Sequence, residues 1–278
     1  MAYISIPSFS PQRLRSFILR LPLFTRACIV IITVFWILEL QTVWSVEQWG
    51  SLTPKKIGLH SMYRLNTFPF IHLNFFHAFF DVLALTPLLE RFESEHGTLN
   101  TFAMFVGPLT TLPAALYIFT EMLVLRQNTP ILGASIWIFL LLSSEAIKAY
   151  RSNPYFIIIT YSIPTWITPL VIAVVTSILI PGASLLGHLC ACAVGYAFGL
   201  GYLKILAPPD KILRWIEAKL NLLGRLPHYV SIDQKTYGRY GVLPSNVTSS
   251  SGVAGPPADH AVAMGWLGTG GGGQRLGP

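Results

Sequence analysis

The sequence predicts an all-α membrane protein, a bundle of six transmembrane helices with a cytosolic tail, and two observations carry that expectation. Hydrophobic residues make up 53% of the chain and charged residues only 11%, whereas charged residues reach about a quarter of an ordinary soluble domain. The apolar residues are also gathered into runs of roughly 17–25, the length a helix needs to cross a bilayer.

Six such runs stand at about 23–43, 68–89, 101–125, 131–147, 156–180 and 183–206. Arg13, Arg15, Arg20 and Arg26 precede or open the first, with no acidic residue among them. By the positive-inside rule they hold the N-terminus in the cytosol, and six crossings return the C-terminus there. Pro7, Pro11 and the arginines break up the first twenty residues, so a cleavable secretory signal is not expected. The fifth run is interrupted by Pro164 and Pro169. Neighbouring helices satisfy the backbone groups that such prolines free, so the expectation is a kinked or mobile span.

The organisation that follows is a cytosolic segment 1–22, a six-helix membrane domain 23–206, a juxtamembrane segment 207–239 and a disordered cytosolic tail 240–278. After Pro208-Pro209, Asp210 is placed to cap a helix over 211–223. There Ile212, Leu213, Trp215, Ile216, Leu220 and Leu223 recur at near-helical spacing among Lys211, Arg214 and Lys219, as in a helix lying on lipid. From about Tyr240 serine, glycine, proline and alanine dominate, ending in Gly270 to Gly273, a composition that cannot bury a core. The sequon at Asn246 falls in this tail, so the topology leaves it unglycosylated.

The formal charge of +7 is spread over loops and tail rather than gathered into a stripe, which excludes nucleic acid as a partner. Cys28, Cys190 and Cys192 all lie in apolar runs, and the last two are too close along a helix to bridge easily. Neither a disulfide framework nor a zinc pattern follows.

Polar groups inside spans are costly, so each is a functional hypothesis. They are His72, Asn74, His77 and Asp81 in the second span, Ser135 in the fourth and His188 in the sixth. These three spans run in the same direction, so depth compares directly at about 1.5 Å per residue. Ser135 is about four residues in, His188 about five and His77 about nine, all near the luminal boundary at a 1.5 Å rise. A serine hydroxyl becomes a useful nucleophile only with an imidazole within hydrogen-bond reach, and a shallow site admits the water that hydrolysis consumes. Gly133 and Ala134 before Ser135, and Gly195 and Gly199 after His188, suit close helix approach. His77 and Asp81 share one helix face, where they are candidates to serve a developing oxyanion. Taken singly, such a serine usually bonds its own backbone, and such a histidine or glycine usually serves packing.

These residues form a recognisable set. Met62-Tyr63-Arg64-Leu65-Asn66-Thr67, then Pro69-Phe70-Ile71-His72-Leu73-Asn74-Phe75-Phe76-His77, resemble the first loop and second span of the rhomboid family of intramembrane serine proteases. Glu93 with Gly97 is similar to the Glu-x-x-x-Gly that follows that span, Gly133-Ala134-Ser135 to the nucleophile motif, and Gly187-His188 with Gly195 and Gly199 to the base motif. The resemblance covers about residues 60 to 205 and is nearest the fungal Golgi-type branch. It implies a rhomboid-like bundle in which Ser135 is nucleophile, His188 general base and His77 an oxyanion donor beside the serine's own N–H, with Asn74 and Asp81 in support. Two positions depart from the pattern: Ile136 stands where glycine is common, and Asp81 where many rhomboids carry asparagine. A carboxylate beside an oxyanion repels it unless protonated, turned away or paired with His77.

The resemblance implies a serine endopeptidase that cleaves single-span membrane proteins near the luminal interface, without metal or organic cofactor, in the Golgi. It leaves two rivals. One is an inactive rhomboid-like protein that binds membrane clients and passes them to an AAA+ segregase; the tail Gly271-Gly272-Gly273-Gln274-Arg275-Leu276 resembles a segregase-binding motif. The other is a solute transporter with an intramembrane relay, for which the expected internal repeats are not found.

Overall fold

The computed structural model describes residues 20–158, 161–180, 182–220 and 226–235. Six longer helices occupy the six apolar runs in order: α1 Leu23–Glu39, α2 Phe75–His96, α3 Thr98–Val124, α4 Ser135–Tyr150, α5 Thr168–Leu179 and α6 Leu185–Leu200. A short α7, Asp210–Lys219, follows. The expected tail 240–278, the sequon at Asn246 and the segment Gly271–Leu276 lie outside the described residues, as do most of 1–22 and part of 207–239.

The centre of the bundle is α4. Residues Ile136 to Leu141, Ser143, Ser144 and Ala146 are all buried, so this helix is enclosed on nearly every side. Trp137 anchors it: the ring stands edge-on to Phe70 and Phe105, at 5.0 and 5.4 Å between centroids, and Nε1 donates to Thr110 Oγ1 at 2.8 Å. Against α4 lies α6, along a seam of glycines. A Cβ on Gly195 would fall inside the Leu140 carbonyl, and one on Gly199 would come within 2.7 Å of the Ser144 carbonyl oxygen. Glycine is therefore required at both places for the two backbones to touch.

The first two helices are joined by Glu93, which is fully buried near the end of α2. Its carboxylate accepts from the backbone N–H groups of Phe24 and Thr25 at 2.9 and 2.8 Å and from the hydroxyls of Thr25 and Thr98 at 2.8 and 2.6 Å. Phe24 and Thr25 are in the first turn of α1, whose N–H groups lack intrahelical partners and which carries positive partial charge. Gly97, at φ +87°, ends α2 in a conformation that suits glycine. Between α1 and α2 the loop is held by buried Arg64, which donates to the carbonyls of Ser51 and Gln48 at 2.9 and 2.7 Å. Beside it Tyr63 stacks on Trp49 at 5.2 Å.

The fifth run differs from expectation. Its first part is an antiparallel hairpin, β1 Tyr155–Ile158 and β2 Tyr161–Pro164, with Tyr155 opposite Pro164 and Ile157 opposite Ser162. The physical reason is composition: β-branched and aromatic residues crowd this stretch, and Pro164 ends the helix-incompatible part. Only twelve residues remain for α5. Even with the turn from Thr165, fifteen residues at about 1.5 Å each give roughly 22 Å, short of the ~30 Å hydrocarbon core. Most of α5 is uncovered, with Ile178 76% exposed and only Pro169 and Ala173 buried.

By length and composition, α3 alone among the described helices qualifies as a span, and two bent pairs bring the number to three: Leu59–Phe70 with Phe75–His96 at 81°, and Leu185–Leu200 with Tyr202–Lys219 at 89°. The second bend turns α7 across the bundle end. Its Asp210 does not cap the helix as expected; the cap residue is Pro209, and the Asp210 carboxylate accepts from Lys235 Nζ at 2.6 Å. The described helix stops at Lys219 because Leu220 leaves helical geometry. Trp215 and Ile212 face outward, while Leu213 is buried. Behind α7, Tyr229 donates to Glu217 Oε1 at 2.6 Å. Burial and the Glu217 carboxylate push this phenol well above its ordinary range.

Candidate active site

Ser135 is the first residue of α4, and the chain reaching it is tightly specified. Leu52 and Ile131 exchange two backbone hydrogen bonds, and the Gly133 N–H donates to Phe68 O at 2.9 Å. Gly133 itself takes φ +107°, and a Cβ there would come 2.8 Å from the His77 ring. Glycine thus serves both the turn and the close approach. The result is a serine at a helix start, half-buried, with its hydroxyl facing α6.

His188 is on the first turn of α6. Ser184 caps that helix, its hydroxyl accepting from the Gly187 N–H at 3.1 Å. The imidazole packs on the ring of Phe139 at 4.2 Å, with an interplanar angle of 34°. Its Nε2 is 3.2 Å from Ser135 Oγ, and its Nδ1 is 3.2 Å from Ser177 Oγ on α5. Ser177 donates its one hydroxyl hydrogen to the Ala173 carbonyl at 2.7 Å, so towards the ring it accepts. This arrangement suits a hydrogen on Nδ1 and a lone pair on Nε2 turned to Ser135, the tautomer a general base needs. Sequence reasoning missed Ser177. The signal was present, a hydroxyl within an apolar run, the same rule that singled out Ser135.

Asn74 caps α2: its Oδ1 accepts from the His77 N–H at 2.8 Å, so this carbonyl serves the backbone. His77, one turn later, borders the same cavity of about 140 Å3 as Ser135, Gly133 and His188. That volume has room for several waters. Ile136 is 3% exposed and packs in the core at the cavity edge.

Asp81 is the departure with consequences. Its Oδ2 accepts from the backbone N–H of Ser135 at 2.9 Å, the donor that the family resemblance assigns to the oxyanion. The same oxygen is 3.0 Å from His72 Nε2 and 3.4 Å from His77 Nε2. The neighbouring Ala134 N–H donates to His72 Nε2 at 3.1 Å. His72, singled out in the sequence without a role, is thus the nearer histidine to Asp81. The arrangement brings a hydroxyl, an imidazole and a second imidazole to one cavity, the parts of nucleophilic acyl transfer.

Comparison with known proteins points to one family. A family model for the Rhomboid domain matches residues 59–205. The chain is 62% identical over 270 residues to "Rhomboid-type serine protease B" of Aspergillus fumigatus, covering 97% of this chain and 96% of that protein. It is 57% identical to "Rhomboid-type serine protease 2" of Neurospora crassa, over 98% of this chain and 95% of the relative. Identity to the Saccharomyces cerevisiae protein of that same name is 35%, over 73% and 77% of the two chains.

Proposed function

Because the chain belongs to the rhomboid family, we propose that it is an intramembrane serine endopeptidase whose catalytic dyad is Ser135 and His188. Family membership makes it a serine-type hydrolase of the membrane; the roles of individual residues are our reading. The observation that carries the reading is the 3.2 Å approach of His188 Nε2 to Ser135 Oγ, with Nδ1 committed to Ser177.

In this reading Ser135 Oγ attacks the scissile carbonyl while His188 Nε2 takes its proton. That proton goes to the leaving amine, and water then hydrolyses the acyl-enzyme by the same base. His77 and the Ser135 N–H supply the oxyanion donors once Asp81 gives up that N–H. Substrates are single-span membrane proteins, cut near the luminal interface and admitted past α5, the short and thinly packed helix. The chain crosses the bilayer six times with both termini cytosolic, and resides in the Golgi, as the branch resemblance suggests. α7 lies on the cytosolic leaflet, and Gly271–Leu276 engages an AAA+ segregase.

The test is co-expression of a tagged type I membrane protein with the wild type, Ser135→Ala and His188→Ala. Product is expected from the wild type alone, and equal product from all three would remove the catalytic assignment. A second reading, an inactive client-binding adaptor for the segregase, is favoured by one observation: Asp81 occupies the N–H that an oxyanion needs. Serine-directed fluorophosphonate decides between them, since the adaptor leaves folded wild-type protein unlabelled.

A further inference from the structure

His72, Asp81 and His77 present three electron-pair donors to one point. Nε2 of His72 and Oδ2 of Asp81 are 3.0 Å apart, Nε2 of His77 is 3.4 Å from the same oxygen, and all three atoms lie within 4.8 Å of one another. A tetrahedral zinc ion with bonds of about 2.0–2.1 Å holds its ligand atoms roughly 3.3 Å apart, so the cluster is near that size already.

The hydrogen bonds around it point the same way. His72 Nδ1 faces the Phe70 carbonyl at 3.3 Å, a contact that suits a hydrogen on Nδ1. Its Nε2 then carries a lone pair, in agreement with the Ala134 N–H that donates to it. A ring fixed by a backbone carbonyl on one nitrogen with a lone pair on the other is the usual preparation of a metal-ligating histidine. The same Nε2 is 3.0 Å from the Asp81 carboxylate oxygen, so an ion seated between them takes the place of the Ala134 N–H on that lone pair. The cluster is also enclosed: His72 is fully buried, Asp81 is 6% exposed, and the space between Gly133 and the His77 ring is too small for a side chain at residue 133. His77 and Asp81 are one helical turn apart on α2, the spacing that puts two ligands on one face. His77 borders the cavity that Ser135 also lines, so the cluster meets that cavity at this one ligand.

We infer that His72, His77 and Asp81 form an inhibitory site for a divalent transition ion, zinc above all, next to the nucleophile. Two imidazoles and a carboxylate suit zinc rather than magnesium or calcium, which take oxygen ligands. A bound ion consumes the His77 nitrogen and pins Asp81 on the Ser135 N–H, so both oxyanion donors are withheld. The inhibitory consequence rests on the proposed role of Ser135; the binding of the ion does not.

The experiment uses the full chain, without a polyhistidine tag, in detergent micelles and dialysed against a chelator. Zinc chloride is titrated in, bound metal is counted by mass spectrometry, and the rate of fluorophosphonate labelling is followed in parallel. One ion per chain is expected in the wild type, in Ser135→Ala and in His188→Ala, with affinity falling at least about tenfold in the isosteric Asp81→Asn. Labelling of the wild type should slow as the site fills, while Asp81→Asn, compared with its own zinc-free rate, should be insensitive at those concentrations. Should Asp81→Asn fail to fold, His77→Gln replaces it with the same expectation for binding. Unchanged affinity in these variants, or loss of the ion in His188→Ala, would overturn the site; full occupancy with undiminished labelling would overturn the inhibition. If no form of the protein labels even without zinc, the protease reading fails, and the metal count still decides the site.

Discussion

Replacing Ser177 by alanine isolates the contribution of the tautomer. The substitution removes the hydroxyl that accepts from His188 Nδ1 at 3.2 Å and leaves the 3.2 Å contact with Ser135 in place. Ser177 is half-buried on a thinly packed helix, so little core is lost. One neutral hydrogen bond is worth about 0.5–1.5 kcal/mol, and about 1.36 kcal/mol is a tenfold change in rate. The expected loss is therefore roughly 2- to 13-fold in kcat. KM should be nearly unchanged, because Ser177 orients the base and does not line the cavity. By contrast, His188→Ala removes the base itself and should cost several orders of magnitude. The assay is cleavage of a fluorogenic transmembrane peptide in proteoliposomes, with kcat and KM resolved. Ser177→Thr keeps the hydroxyl and should recover most of the rate. An unaltered kcat in Ser177→Ala, or no recovery with threonine, would refute the argument that this hydroxyl sets the tautomer.

Other substitutions follow from the same contacts. Glu93→Ala strips four donors of their carboxylate; with charged hydrogen bonds at about 1.5–3 kcal/mol each and imperfectly additive, at least ~3 kcal/mol of stability should go, read as a lower melting temperature in detergent. Gly195→Ala drives a methyl into the Leu140 carbonyl; overpacking costs about 1–3 kcal/mol, and fluorophosphonate labelling should drop with the melting temperature, whereas Gly182→Ala, which meets nothing within 4 Å but takes φ +85°, should change labelling less. The Tyr229 phenol is held protonated by burial and Glu217. A raised pKa stabilises the folded form below the ordinary phenol value of about 10, and that contribution is lost as pH climbs past it. Protection factors for amides around Tyr229 and Ile232, taken relative to the intrinsic exchange rate at each pH, should therefore hold at neutral pH and fall above about pH 10, a fall absent in Tyr229→Phe.

Much of this was readable in the residues. The apolar runs marked all six longer helices, because bilayer-length hydrophobicity is a one-dimensional signal. Ser135, His188 and the small residues Gly195 and Gly199 stood out for the same reason, as polar or small positions in otherwise apolar runs. The fifth run misled because hydropathy does not distinguish an apolar strand from an apolar helix; β-branching between Tyr155 and Pro164 was the better guide. Asp81 was seen as a problem, but its partner was not: whether a carboxylate meets His77 on its own helix, or His72 and a backbone N–H from α4, depends on packing across helices that spacing does not encode. Ser177 carried the same mark as Ser135, a hydroxyl in an apolar run, but its partner His188 lies on another helix and spacing does not show that contact.

The glycine seam has a consequence for how this protein tolerates change. Where α4 and α6 meet, main chain rests on main chain at Leu140 and Ser144, and at Leu140 backbone atoms alone face the Gly195 position, leaving no side chain there to be exchanged for a slightly larger or smaller one. The separation of the serine and the histidine two turns away is thereby inherited from peptide geometry, which mutation elsewhere does not alter. Variation among the lipid-facing or core residues can loosen the molecule by degrees while the reacting atoms keep their spacing, so that this protein should lose durability well before it loses alignment.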